Sequence, residues 1–135
     1  MYFLRTVSRW YDIAVYTASI REYAEPVLAR IDPRRKYITR RLYREDCVVM
    51  GESGNVQKDI AGHFGPDLSK VVFLDDNADW IAGDCANALV VPPWDGYDLY
   101  DETLLNLIPV LDALRYVRDV RSVTGLRLLA QTKRS

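Results

Sequence analysis

Histidine occurs once, at His63, and cysteine twice, at Cys47 and Cys85, in a chain of 135 residues. The two cysteines are distant in sequence, form no C-x-x-C pair and have no pair of histidines to work with, so zinc-ligand spacing is absent. Two buried thiols are expected in place of a structural disulfide. His63, between Gly62 and Phe64, is expected at the surface or in a loop. Long apolar runs are also missing. No stretch approaches the roughly 20 consecutive apolar residues that span a bilayer, so no membrane segment is expected in these residues. The first ten residues are apolar-rich but broken by Arg5 and Arg9, and they lack the small-residue cleavage site of a secretory signal; they read as a helix. A formal net charge of -1 leaves no basic surplus for a nucleic acid or an anionic membrane. The tail cations Arg127, Lys133 and Arg134 are too sparse to supply one, and nucleic acid is not an expected partner.

What the chain does contain is an alternation of short apolar segments and helical periods. YDIAVYTAS, beginning at Tyr11, reads as a buried strand over Ile13 to Tyr16 that runs into a loop of small hydroxyl residues. Ser19 and Glu22 then form an S-x-x-E capping pattern, and Ile20, Tyr23, Ala24, Val27, Leu28 and Ile31 fall on one helical face. Pro26 lies inside that face, so the helix either kinks or restarts there. After Asp32-Pro33 comes a basic stretch, Arg34 to Arg44, interleaved with Tyr37, Ile38, Leu42 and Tyr43. Such a mixture can bind phosphate or nucleic acid, but it equally describes an edge strand guarded by charge. Gly51 to Asn55 is turn chemistry, and Val56 to Phe64 is compatible with a short helix. KVVFL, from Lys70 to Leu74, is a second buried strand, followed at once by Asp75, Asp76 and Asn77. Asn87 to Val91 is a third, followed by the loop PPWDG. Leu104, Leu107, Ile108, Leu111, Leu114 and Val117 give a last helical face, again holding a proline, Pro109. This alternation predicts an α/β fold with a mostly parallel sheet.

Three polar features follow or adjoin apolar elements: Thr17 with Ser19, Lys58 before Asp59, and the Asp75-Asp76 pair. A phosphate needs hydroxyl and N–H donors around its oxygens, a cation against its charge, and a hard metal such as Mg²⁺ held by carboxylates. Each feature also has a plainer reading. Thr-x-Ser after a strand is commonly a helix cap, and a lone lysine in a short helix is commonly solvated. The aspartate pair carries more, because adjacent carboxylates beside an apolar strand repel unless a cation or hydrogen bonds compensate.

The order of these features carries a resemblance. WYDIAVYTASIREYAEPVLARIDP, RRLYREDCV, VQKDI, DLSKVVFLDDNADW, NALVV with PPW, and DETLLNLIPVLDALRYVRDVRSV together resemble the C-terminal-domain phosphatases of the haloacid dehalogenase superfamily from their second strand onward. They are most similar to the Dullard-like subgroup, which includes nuclear-envelope phosphatases. The resemblance implies a Rossmann-like three-layer α/β sandwich over residues 1–128, with 129–135 as a tail. It implies a Mg²⁺-dependent protein serine/threonine phosphatase that forms an aspartyl-phosphate. Thr17 would contact the transferred phosphate with Ser19 nearby, Lys58 would neutralise phosphate and nucleophile charge, Asp75 and Asp76 would hold the metal, and Arg44 of RRLYRED would bind substrate. Asp76 stands where the small phosphatases carry Asn, which keeps an oxygen ligand and adds a charge.

One element of the family pattern has no counterpart in these residues. The D-x-D-x-T/V segment supplies the nucleophile and the general acid/base, and no D-x-D occurs in the sequence. Asp75-Asp76 cannot replace an in-line nucleophile while holding the metal. That segment is also the central strand of the family sheet, so the sandwich is expected to lack its first strand and the chain as given to be inactive. A gene model that begins too late is the favoured account; a partner chain or self-association completing the sheet is another. The implied partner is a phosphoprotein or peptide segment, and the implied location is intracellular, at the nuclear envelope, in the nucleus or in the cytoplasm. The alternative is a non-catalytic protein-binding module of the same fold, as in the mitochondrial inner-membrane import receptor, whose loop PPWDG resembles.

Overall fold

The apolar, β-branched run Ile13–Tyr16 forms strand β1, with the bounds its sequence predicts. It pairs in parallel with β2, Ile38–Leu42, and the crossover between them is helix α2, Arg21–Ile31. The computed structural model describes residues 2–83, 86–92 and 101–125. The chain divides after Lys58 into two compact units.

The first unit opens with helix α1, Tyr2–Val7, which buries Phe3, Leu4 and Val7. The β1–β2 register runs Ile13 to Ile38, then Ala14 to Arg40 and Tyr16 to Leu42, so Thr39 is accommodated by an irregularity after the first pair. Among the described residues β2 has no other strand neighbour, and Thr39 and Arg40 are exposed. This is the charge-guarded edge that the basic stretch allows.

Helix α2 departs from its sequence expectation at both faces. It begins two residues after Ser19, and its N-cap residue, Ile20, makes no capping side-chain bond. The Ser19–Glu22 capping box does not form: the Ser19 N–H that Glu22 would accept goes to Thr17 Oγ1 at 3.1 Å. The helix runs unbroken through Pro26. Of the expected apolar face only Leu28 is buried, while Tyr23 is 75% and Val27 58% exposed.

The end of α2 is fixed by Asp32, which is 1% exposed. Its Oδ1 accepts the Lys36 N–H at 2.9 Å, and its Oδ2 accepts those of Tyr37 and Ile38 at 3.1 and 2.9 Å. One carboxylate thus closes the turn and starts β2. The Arg41 guanidinium lies 3.7 Å away, in ion-pair range but too far for a good hydrogen bond.

Beyond β2, strands β3 (Val48–Met50) and β4 (Asn55–Gln57) form an antiparallel hairpin that the sequence did not announce. Its turn is a 3₁₀ segment, Gly51–Ser53, closed by Gly54 at φ 75°, a conformation that favours glycine. The short helix expected from Val56 begins only at Ile60, because Val56 and Gln57 belong to β4.

In the second unit, α3 (Ile60–Phe64) is capped by Asp59, whose side chain accepts the Gly62 N–H at 2.9 Å. His63 lies in that helix, half-buried, and not in a loop. Strands β5 (Phe73–Asp75) and β6 (Ala88–Val90) pair in parallel. Asn87, buried beside them, donates to the carbonyls of Leu68 and Val71 at 2.7 and 2.8 Å, which secures the backbone entering β5. Helix α4 (Thr103–Leu114) buries Leu107, Leu111 and Leu114 at helical spacing and continues through Pro109. Thr124 is fully buried and hydrogen-bonds to the Ala86 carbonyl. Cys85, Pro93–Gly96 of the PPWDG loop and the tail from 126 onward lie outside the described residues. Among the described residues no helix is long and apolar enough to cross a membrane.

Burial pushes the Asp32 carboxyl up, but the N–H groups of Ile38, Lys36 and Tyr37 and the charge of Arg41 outweigh it, and its pKa is lowered. A depressed folded-state pKa stabilises the fold in full above the ordinary carboxylate value, and that contribution is lost as pH falls through the folded value. Asp32→Asn is expected to cost about 3 kcal/mol in urea unfolding at neutral pH, since it leaves Arg41 buried without its counter-charge. It should also flatten the acid limb of the stability profile, whereas an unchanged acid limb would show that Asp32 does not drive it.

Candidate functional site

The chain leaves β1 at Tyr16, and the next three residues form a loop held from β2. The Thr17 N–H donates to the Leu42 carbonyl at 3.0 Å, adding one rung to the ladder. Thr17 Oγ1 accepts the Ser19 N–H at 3.1 Å. Arg44 then grips the loop twice, through its N–H on the Ser19 carbonyl at 3.0 Å and through Nη1 on the Ala18 carbonyl at 3.3 Å. Thr17 is half-buried, and Ser19 and Arg44 are exposed. Three residues singled out in the sequence therefore meet, with Arg44 acting on the loop that carries the other two.

A cluster that sequence reasoning missed lies beside this loop. Tyr16 donates its hydroxyl to the Asp46 carbonyl, and Asp46 Oδ2 in turn accepts the Tyr43 N–H at 2.8 Å. The Cys47 thiol points to the Tyr43 carbonyl at 3.8 Å. Burial pushes that thiol up, against the Tyr16 hydroxyl and the positive charges of Lys58 and Arg44, which pull it down. Lys58 itself is 9% exposed and stands between β4 and α3. The plainer reading, a solvated lysine in a short helix, does not hold: Lys58 is buried, precedes α3, and its positive charge acts on the Cys47 thiol. Nothing in the spacing of the sequence pairs Tyr16 with Asp46.

Asp75 and Asp76 belong to the second unit. Asp75 is the last residue of β5, with its carbonyl bonded to Val91 N–H at 2.9 Å and its Oδ1 accepting Asn77 N–H at 3.1 Å. Asn77 repeats the motif one step on, accepting Asp79 N–H at 2.9 Å. These turns leave Asp75 half-exposed and Asp76 exposed. Among the described residues no group of three His, Cys, Asp or Glu side chains is placed to hold a metal ion. The donor chemistry nevertheless fits Mg²⁺, which is commonly held by one or two carboxylates and keeps several waters.

Polar residues at the carboxyl ends of parallel strands are where open α/β sheets bind ligands, and both units present them. The family model of NLI interacting factor-like phosphatases matches residues 1–121, spanning the loop after β1, Arg44, Lys58 and the aspartate pair. The chain belongs to this family. It is 40% identical over 129 residues to the CTD nuclear envelope phosphatase 1 homolog of Caenorhabditis elegans, covering 96% of this chain and 51% of that protein. It is 40% identical over 127 residues to CTD nuclear envelope phosphatase 1 of Xenopus tropicalis, covering 94% and 50%. Nuclear envelope morphology protein 1 of Schizosaccharomyces pombe is 35% identical over 127 residues, covering 94% and 26%. The chain thus spans about half the length, or less, of these relatives. Among solved structures, the fission yeast RNA polymerase II CTD phosphatase Fcp1 bound to beryllium fluoride is similar with a TM-score of 0.59 at 23% identity, covering 98% of this chain and 38% of that one. This likeness shows the haloacid-dehalogenase-like fold.

Thr17→Val keeps the shape of the side chain but removes the oxygen that accepts Ser19 N–H. The expected result is amide exchange at Ser19 accelerated about tenfold with little change in the global melting temperature. Unchanged exchange would mean that the hydroxyl does not order the loop.

Proposed function

We propose that this chain contributes the phosphate-binding and metal-binding residues of a Mg²⁺-dependent protein serine/threonine phosphatase. The observation that carries this reading is the placement of Thr17 and Asp75 at the carboxyl ends of β1 and β5, within a family match that runs through both units. In this reading Thr17, through its hydroxyl and the loop it orders, donates to the phosphoryl oxygens. Lys58, largely withdrawn from water, sets a positive charge against the phosphate, where a low dielectric strengthens its effect. Arg44 keeps the Ala18–Ser19 backbone in place beside Thr17. Asp75 and Asp76 would hold Mg²⁺, which when bound supplies charge neutralisation for the transferring phosphoryl group.

The reading requires an aspartate nucleophile, and these 135 residues contain no D-x-D. The nucleophile must therefore come from elsewhere in the intact protein or from a partner chain, and the 135 residues by themselves are proposed to be inactive. A phosphoprotein substrate and a place at the nuclear envelope are proposed on the same grounds, since relatives matched over most of this chain are named as CTD nuclear envelope phosphatases.

The test is hydrolysis of a phosphoserine peptide by the intact protein with Mg²⁺. Thr17→Ala, Lys58→Met and Asp75→Asn are each expected to lower kcat/KM by about a hundredfold or more, while Arg40→Ala on the exposed strand edge stays within about twofold of the parent. Full activity in both Thr17→Ala and Asp75→Asn would sink the assignment, as would turnover by the 135 residues alone.

A further inference from the structure

The first unit contains a polar concavity of about 550 Å³ between the first half of α2 and β2. Arg21, Arg35, Lys36, Thr39 and Arg41 line it, opposed by the single carboxylate of Glu25. None of Thr17, Ser19, Arg44 or Lys58 is among its walls.

The charges are unevenly spent. Arg21 is engaged by Glu45 at 2.7 Å and by Glu25 at 3.9 Å, and stacks over the Tyr43 ring at 4.5 Å. Arg35 and Lys36 are exposed and have no carboxylate partner among the described residues; Lys36 only approaches the Tyr37 ring, at 5.7 Å. Arg35 is also held at φ 51°, which a side-chain-bearing residue adopts at some cost.

The decisive group is Arg41. Its side chain is 9% exposed, and its Nη2 is buried with no hydrogen-bond partner. Asp32 Oδ2 stands 3.7 Å away, but it already accepts two N–H groups, those of Tyr37 and Ile38. The counter-charge is present, then, while the donor stays unused. A buried guanidinium N–H without an acceptor is costly, and an anion in the cavity that Arg41 lines is an acceptor to which its guanidinium can turn. Thr39 already spends its hydroxyl proton on the Ile13 carbonyl at 3.0 Å, so the donors left for a ligand are cationic.

We propose that this cavity binds a phosphate monoester, with Arg41 as the buried donor and Arg35 and Lys36 as the outer cations. A guanidinium and an ammonium around one site suit the charge and the several acceptor oxygens of a phosphate group. The volume lies within the range of pockets that take whole ligands, so the phosphate arrives on a larger carrier, and a phosphorylated peptide segment is the carrier we choose. This site stands on the orphaned Arg41 donor and not on the phosphatase reading.

The probe is a peptide carrying a non-hydrolysable phosphonate analogue of phosphoserine, titrated into the ¹⁵N-labelled intact protein. Amide shifts are expected at Lys36, Thr39 and Arg41 with the analogue and not with its serine twin. Arg35→Ala with Lys36→Ala, both at exposed positions, should weaken binding at these residues about tenfold, whereas Arg40→Ala should not. Arg41→Lys should weaken it likewise in a protein whose thermal melt shows it folded; if it fails to fold, the double variant decides. Orthophosphate displacing the analogue from the same residues would support the anion site and identify free phosphate as a competing source. Shifts confined to the Thr17–Ser19 loop, equal binding of the unmodified peptide, or unchanged affinity in the double variant would each overturn the proposal.

Discussion

The buried carboxylate of Asp32 is the constraint on which the first unit depends. A parallel β-α-β crossover has to turn the chain sharply where the helix ends and the second strand begins, and the N–H groups at that turn have no ladder to join. Asp32 collects three of them on one side chain. The register of β2 against β1 follows, and from the register comes the position of Leu42, whose carbonyl holds Thr17. Arg44, two residues further on, reaches the same loop. The geometry of the loop after β1 is thus set from the far end of the crossover by a residue that never touches it.

How much of this was legible varied with the kind of signal. β1 could be read directly, because an apolar, β-branched run between polar residues has few other solutions. β5 and β6 were found with ends shifted by one to three residues, since apolar runs do not mark where pairing begins. The start of α2 departs from the S-x-x-E pattern because the Ser19 N–H that the pattern needs is drawn back to Thr17 Oγ1 in the loop after β1. The β3–β4 hairpin was missed because Val48, Val49 and Met50 look like core residues yet are all exposed; the pairing, not burial, defines that strand.

The same distinction applies to the candidate site. Residue types that suit phosphate and metal can be picked out wherever they follow a strand, and Thr17 and Asp75 stand where that logic placed them. What cannot be read from spacing is environment. Lys58 stands out in the sequence by its place in the family pattern, but only the fold shows it withdrawn from water. Arg41, one of six basic residues in a short stretch, differs from its neighbours by being buried beside a carboxylate whose nearer oxygen already accepts two N–H groups.

The pairing of strands within units has a kinetic consequence. Among the described residues β1 finds β2, and β3 finds β4, before Asp59 is reached, while β5 waits only for β6. A ribosome delivering these residues in order would therefore release the first unit with each of its described strand pairings already available. The longest wait is the β1–β2 crossover, in which β1 must keep an unpaired edge until α2 and the Asp32 turn have been made.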